Sequence, residues 1–181
     1  MKLFDPTSTP RERTVTLAPR PRDLAGLRVG LVENTKFNSD AILRKLGDEL
    51  CRRHGMTVSR MIRKRSPSHG VTDEAADALR KISDFVVSGV GDLGSCSSSS
   101  VLDALMFEER GIPGIALVTE PFRQTGAAMA ATWGLPGFKF VETPHPIAIL
   151  DDVETGDRAQ DLVPLVLALL SREGTRGAAR R

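Results

Sequence analysis

A glycine- and serine-rich segment with one cysteine is the part of the sequence best suited to chemistry. It runs from Gly89 to Ser100 and reads GVGDLGSCSSSS. Glycines let the backbone turn tightly and approach a ligand closely. Cys96 follows them at or just before the predicted start of a helix, where unpaired N–H groups favour a thiolate and would also bind an oxyanion. The segment predicts a nucleophilic or acid/base cysteine, and the alternative is a serine-rich helix cap with an incidental buried cysteine.

The segment does not match the common nucleotide-binding loops. No Gly-Lys-Ser/Thr sequence follows the glycines, which excludes a P-loop. No acidic residue is placed to bind the ribose of a dinucleotide. The cofactor, if any, therefore stays unknown, and no His, Asp or Glu spacing predicts a metal site.

The turn from Glu33 to Ser39 offers a second set of polar groups at the entrance of a helix. Asn34 and Lys36 would bind a carboxylate or phosphate, with the Lys36 ammonium as the counter-charge. The alternative is a capped helix start, with Asn38 or Ser39 as the N-cap.

Glu120 and His145 are the candidates for moving protons. Glu120 follows a predicted strand, and Pro121 suits the first helical position. Glu120 is either a general base or an acidic complement to the helix dipole. His145 lies between two prolines, which restrict its backbone, and it is either the base that deprotonates Cys96 or part of a rigid surface loop.

The predicted site combines these groups. The predicted catalytic residues are Cys96, His145 and Glu120, and the predicted substrate-binding residues are Asn34, Lys36, Asp92, Gly94, Ser95, Ser97 and Thr119. In this interpretation Asp92 braces the loop, and backbone amides from Ser95 to Ser97 hold developing negative charge.

Five predicted strands alternate with five predicted helices. The strands are at 27–32, 57–62, 84–90, 114–119 and 138–141, and the helices at 39–54, 72–82, 97–110, 121–133 and finally up to about 173. This alternation is typical of βαβ units and of a parallel sheet with both faces covered. The expected fold is α/β, with a doubly wound, mostly parallel, flavodoxin-like five-stranded sheet and an extended N-terminal arm. Ligands bind at the carboxyl ends of such strands, where the four polar turns would meet.

Length, composition and charge limit the classes to which this protein can belong. The chain has 181 residues, 40% of them apolar and 27% charged, with a net charge of +2. That length suits one domain, and the charge does not predict nucleic-acid binding. The longest apolar run, 162–170, is shorter than the roughly 20 residues of a membrane span, and no signal peptide is evident. Two cysteines exclude a disulfide framework and a cysteine-rich zinc site, so we expect a cytoplasmic protein. The predicted site, rather than the composition, leads us to expect a small-molecule substrate.

Three segments organise the chain. Residues 1–26 form a Pro/Arg-rich arm, residues 27–173 a single α/β domain and residues 174–181 a basic tail. The apolar residues of the last helix would either serve a homodimer or simply cover the sheet, and both alternatives stay open.

The motif from Gly89 to Ser97 resembles the UGSC family, which is named for a selenocysteine-Gly-Ser-Cys sequence within Gly-Asp-(Sec/Cys)-Gly-Ser-Cys. Further short segments of the chain resemble other motifs of the family, in the same order along the sequence. They are Asp5-Pro6-Thr7, Ala18-Pro19-Arg20-Pro21, Val29 to Asn38, Thr119-Glu120-Pro121-Phe122 and Pro144-His145-Pro146. The resemblance implies thiol or selenol redox chemistry. It also implies a distant similarity to the selenoprotein subunits of amino-acid reductases and to cysteine-based racemases and decarboxylases.

One residue departs from that family pattern. Carried over by position, Leu93 occupies the selenocysteine or cysteine place and Cys96 the retained cysteine. Leucine has neither redox nor nucleophilic chemistry, so a cycle that needs two chalcogens is not available. Three functions stay open, namely a small thiol-dependent enzyme, a single-cysteine isomerase, racemase or lyase, and a non-catalytic ligand-binding or partner subunit.

Overall fold

The computed structural model describes residues 15–171. The predicted tail at 174–181 and the first part of the predicted arm lie outside the described residues. The strands are β1 (Arg28–Glu33), β2 (Thr57–Arg63), β3 (Phe85–Gly91), β4 (Gly114–Thr119) and β5 (Val141–Thr143). The helices are α1 (Ser39–His54), α2 (Asp73–Ile82), α3 (Gly94–Glu109), α4 (Arg123–Thr132) and α5 (Asp152–Leu170). A short 3₁₀ helix, Glu120–Phe122, precedes α4.

The strands form one sheet in the order β2-β1-β3-β4-β5, and every neighbouring pair is parallel. This is the flavodoxin-like order, so the predicted doubly wound α/β fold is confirmed. The central strands are buried along their whole length, because helices cover both faces of a parallel sheet.

Apolar side chains on each face explain this arrangement. On one face α1 and α5 pack together, with Leu46 and Leu50 of α1 in the same cluster as Leu162 and Val166 of α5. On the other face α3 packs against α2 and α4. Each buried leucine contributes about 1.5–3 kcal/mol relative to an exposed one, so these faces hold the layers together.

Several element boundaries differ from the sequence prediction. Helix α3 begins at Gly94 rather than Ser97, and Cys96 is therefore inside its first turn. Strand β5 is shifted from the predicted 138–141 to 141–143, because Phe138 packs into the cluster between α3 and α4. Helix α5 ends at Leu170 rather than near Glu173.

The described part of the predicted arm lies against α3. The Ala18 amide donates to Glu108 Oε2 over 2.6 Å, and Arg20 Nη2 lies 2.8 Å from Glu108 Oε1. Glu108 is buried, and the Gly114 amide also donates to it. A buried carboxylate needs such donors, so Glu108 fixes where the chain enters the domain. The division into arm, domain and tail remains a proposal.

Within the described residues, no helix combines the length and the apolarity that crossing a lipid bilayer requires.

Candidate functional site

The candidate site lies at the carboxyl ends of β1 and β3. The strand order reverses there, and ligands of doubly wound sheets bind at that point. Two buried side chains join the loops that follow these strands. Asn34 Nδ2 donates to the Val90 carbonyl over 2.7 Å, and Ser39 Oγ donates to the Gly89 carbonyl over 2.8 Å. The backbone beneath the site is therefore fixed before any ligand arrives.

Cys96 is the third residue of α3, and its thiol is held by the loop that precedes the helix. Its Sγ accepts hydrogen bonds from the Leu93 amide at 3.0 Å and the Asp92 amide at 3.2 Å. The Leu93 carbonyl lies 3.2 Å from the sulfur and accepts from the thiol. Cys96 is fully buried, so a substrate can touch the sulfur only if covering atoms move.

Asp92 connects the thiol to His145. Its carboxylate Oδ1 lies 2.8 Å from His145 Nδ1, and the Ile147 amide donates to its Oδ2 over 3.3 Å. Thr119 Oγ1 lies 3.3 Å from the same ring nitrogen. Because Nδ1 is occupied, Nε2 is the imidazole nitrogen left to exchange a proton with a substrate. The His145 side chain is one-third exposed, so that nitrogen belongs to an accessible ring.

Gly94, Ser95 and Ser97 of α3 lie in three different environments. Ser95 is exposed, and its hydroxyl accepts from Ser68 Oγ over 3.0 Å. Ser97 is buried against Gly91, where an added Cβ would lie 2.5 Å from the Ser97 Cα. Its hydroxyl has no partner among the residues that the structure describes. Gly94, the first residue of α3, has space beside it, since an added Cβ would meet only Thr125, at 4.0 Å.

Asn34, Lys36 and Glu120 are placed differently from the central group. Asn34 is fully buried and joins the two loops. Lys36 is half-buried and Glu120 is exposed. Between residues 15 and 171, no hydrogen bond or ion pair joins Lys36 or Glu120 to Cys96, Asp92 or His145. The structure therefore brings together Cys96, Asp92, Thr119 and His145, and places Lys36 and Glu120 outside that hydrogen-bonded group.

No side chain among the described residues caps the N-terminus of α1 with a hydrogen bond. Asn38 is the N-cap residue in a left-handed conformation, with φ of 64°, and its side chain caps nothing. Instead Asn38 Nδ2 donates to the carbonyls of Ile147 and Leu150, at 2.9 and 2.8 Å. This ties the loop after β1 to the loop that carries His145.

A buried ion pair that the sequence did not predict lies next to the site. Lys64 Nζ lies 2.7 Å from Asp103 Oδ2 and donates to Ser99 Oγ over 2.6 Å. Asp103 also accepts from the Val71 amide and from Ser88 Oγ. Burial raises the pKa of Asp103 above its usual value, although the Lys64 ammonium opposes that shift. The sequence signal was an aspartate within the apolar stretch 101–105 of α3.

Glu33, at the end of β1, is a second buried carboxyl that the sequence analysis did not select. Its Oε1 accepts from the Thr35 amide over 2.5 Å. Arg63 Nε lies 3.1 Å from Oε2, at ion-pair distance but without the alignment of a hydrogen bond. Burial is the main cause that raises the pKa of Glu33.

This raised pKa predicts how the stability of a Glu33→Gln variant depends on pH. Between the pKa of Glu33 in the unfolded chain and its raised value in the folded protein, the folded state binds more protons. Its stability therefore falls as pH rises. Glutamine does not titrate, so the free energy of unfolding of Glu33→Gln relative to the original protein should increase as the pH rises above about 4, the ordinary pKa of a glutamate. Urea unfolding of both proteins across this range measures the difference.

Asp84→Asn is the control of opposite sign. The hydrogen bonds from Arg28 hold the pKa of Asp84 below its usual range. The original protein should therefore gain stability over Asp84→Asn as pH rises. A Glu33→Gln difference that does not change with pH would contradict the raised pKa.

No cluster of three or more His, Cys, Asp or Glu side chains that could hold a metal ion occurs among residues 15–171.

Fold and site together define a doubly wound α/β protein with a buried cysteine in the first turn of a helix at the switch point of the sheet. The model of the UGSC family matches residues 2–172. The chain therefore belongs to the UGSC family. No curated protein matches it.

Proposed function

We propose that this protein is a thiol-dependent enzyme in which Cys96 acts as a nucleophile or as an acid/base on a small polar substrate that carries a carboxylate. One observation carries the proposal. The residue whose amide donates to the Cys96 sulfur, Asp92, also holds His145 through its carboxylate. A thiol and an oriented imidazole joined through one residue are the parts that thiol chemistry requires.

In this mechanism His145 moves the protons. Its Nε2 accepts the proton of the Cys96 thiol or of the substrate, and the Asp92 carboxylate stabilises the imidazolium that forms. In the acid/base form, the Cys96 thiolate removes a proton from the substrate, and a proton is later returned to the substrate. No electrons are exchanged, so this form needs no oxidant or reductant.

Leu93 favours a second candidate within the enzymes, a single-cysteine isomerase, racemase or lyase. Its side chain is half exposed beside the cysteine loop. A second chalcogen at this position would resolve a bond to sulfur as an internal disulfide, and leucine cannot do so. Incorporation of solvent deuterium into small carboxylic acids, with no electron acceptor present, would support this candidate.

The burial of Cys96 favours a third candidate, a non-catalytic ligand-binding or partner subunit. Full function of a Cys96→Ser variant in a cell-based assay would support it over both enzymes.

Lys36 and the start of α3 are the proposed binding groups for the substrate carboxylate. The Lys36 ammonium has no hydrogen-bonded or ion-paired partner among residues 15–171, and is free to meet an anion. Gly94 and Ser95 supply amides at the N-terminus of α3, where a carboxylate is favourable. Glu120 remains a proposed proton donor or acceptor. A cytoplasmic location and a homodimer complete the proposal.

Alkylation of the native protein tests the proposal. In a Cys51→Ser background, Cys96 is the one thiol left to react with iodoacetate or iodoacetamide. We expect native Cys96 to react with both, and we expect Lys36→Gln to slow iodoacetate about ten-fold more than iodoacetamide, because only iodoacetate carries a carboxylate. Mass spectrometry of the labelled peptide gives both rates.

Two outcomes would contradict the proposal in different ways. If Cys96 reacts only after unfolding in urea, it is a structural thiol. If both reagents slow equally in Lys36→Gln, the assignment of Lys36 to the carboxylate is wrong.

A further inference from the structure

A second site is suggested by a cavity at the edge of the sheet, between the end of β2, the loop 64–72 and the start of α2. Its volume is about 600 Å³, which is the size of a pocket for a small organic molecule. Ile62, Val71 and Ala75 form its apolar wall. An apolar wall of this kind would hold the body of a ligand rather than an inorganic ion alone.

Two arginines and a histidine line the other part of the cavity. Arg63, Arg65 and His69 are all lining residues and are exposed. Arg63 is ion-paired with Glu33, whereas Arg65 has no carboxylate partner between residues 15 and 171. A guanidinium presents two parallel N–H donors, which match the oxygens of a phosphate or a carboxylate.

Two hydroxyls add neutral donors to this cationic side. Ser66 Oγ lies 2.5 Å from His69 Nδ1, and with the ring proton on Nδ1 the imidazole donates to Ser66, whose own O–H then stays free to donate to a ligand. Thr72 Oγ1 accepts from the Ala75 amide, which leaves its O–H free to donate. Asp73, next in sequence, is paired with Arg110 and does not line the cavity. The cavity thus has no carboxylate among its lining residues and an excess of donors.

The loop that forms the cavity is fixed from below. Lys64 is a lining residue, but its Nζ is buried against Asp103 and Ser99. Ser99 Oγ also donates to the His69 carbonyl over 2.7 Å. These bonds hold the backbone of the loop to α3, so the side chains of Arg65 and His69 extend from a preformed frame.

We propose that this cavity binds a phosphate monoester with an apolar body. Arg65 and Arg63 bind the phosphate oxygens, Ser66 and Thr72 donate to them, and the body of the ligand packs against the apolar wall. Two guanidinium groups with two hydroxyl donors suit the double negative charge and the several oxygens of a phosphate better than one carboxylate. This inference goes beyond the proposed function, because no part of it uses Cys96.

Phenyl phosphate is the probe, compared with phenol, inorganic phosphate and benzoate. Binding is followed by ¹H–¹⁵N NMR shifts of Gly70, Val71 and Ala75 and by calorimetry. We expect phenyl phosphate to bind at least about ten-fold more tightly than each of the other three, since it alone satisfies both parts of the cavity. Arg65→Gln should weaken it about ten-fold, the loss expected for one charged hydrogen-bond pair.

Arg60→Gln is the matched control, since Arg60 is an exposed arginine of β2 that does not line the cavity. It should leave the affinity for phenyl phosphate unchanged. Ala75→Leu, which fills the apolar part, should weaken phenyl phosphate and leave inorganic phosphate unaffected.

Four results would overturn the inference. Phenyl phosphate could fail to shift the cavity amides or shift those of Lys36 to Ser39 instead. Benzoate could bind as tightly as phenyl phosphate, or Arg65→Gln and Arg60→Gln could have equal effects. None of these readouts depends on the reactivity of Cys96, so failure here is distinguishable from failure of the proposed function.

Discussion

Replacing Asp103 with alanine is expected to lower the free energy of unfolding by about 3–5 kcal/mol, because it leaves a buried ammonium without its counter-ion. The Lys64 and Asp103 side chains are 1% and 0% exposed, so water cannot replace the lost partner. The Val71 amide and the Ser88 hydroxyl lose their acceptor as well. A loss of this size is a large part of the stability of a typical domain.

Urea unfolding followed by circular dichroism measures this loss. The double variant Lys64→Met/Asp103→Leu is the informative comparison, because it removes both charges together. It should be clearly more stable than Asp103→Ala, since apolar residues of similar volume can replace a buried ion pair. Asp84→Ala, which breaks a more exposed pair, should cost much less. If Asp103→Ala is no more damaging than Asp84→Ala, the buried pair does not stabilise the fold.

The second large effect is expected at Asp92. Asp92→Asn should slow the reaction of Cys96 with iodoacetate about a hundred-fold, the contribution expected of general acid–base catalysis. Asparagine keeps the size of the side chain but removes the charge that stabilises the His145 imidazolium. The same variant keeps the Asp92 backbone amide that donates to the sulfur, so the thiol stays in place.

His145→Asn should have a similar effect, and the two changes should not add. When two residues act as one unit, removing either one abolishes the contribution of both. Cys96 in the double variant Asp92→Asn/His145→Asn should therefore react with iodoacetate about as fast as in either single variant. His54→Asn is the matched control, because His54 is the last residue of α1, at the opposite end of that helix from the site. Rates equal to those of the original protein in both single variants would exclude His145 as the base. Unchanged circular dichroism spectra would confirm that the variants are folded.

The fold could be predicted from local patterns because those patterns act over short distances. The buried run Phe85–Gly91 and the helical spacing of Leu43, Leu46 and Leu50 each describe one element and the face that it buries. The predicted ends of strands and helices were less accurate where an apolar residue could be buried either in a strand or against helices. Phe138 reads as part of a strand, but it packs between α3 and α4, and β5 begins after it.

The candidate site was predicted in part, and for a similar reason. The rule that ligands bind at the carboxyl ends of strands predicted that Cys96, Asp92, Thr119 and His145 lie together, and hydrogen bonds link them in the structure, while their role as a site stays a prediction. It did not distinguish which side chains touch. Asn34 was predicted to bind substrate, and in the structure its amide joins the loops after β1 and β3. Its role in binding remains a prediction.

Local sequence patterns were enough to predict the alternation of strands and helices, the parallel sheet and the position of one cysteine at the start of a helix. The contact between Asp92 and His145, the buried pair of Lys64 and Asp103 and the cationic cavity beside α2 became visible only in the folded molecule. These contacts join residues that are far apart in the sequence. Asp92 and His145 are 53 positions apart, and Lys64 and Asp103 are 39 apart. Periodicity and capping depend on neighbouring residues, whereas these contacts depend on how whole elements pack against one another.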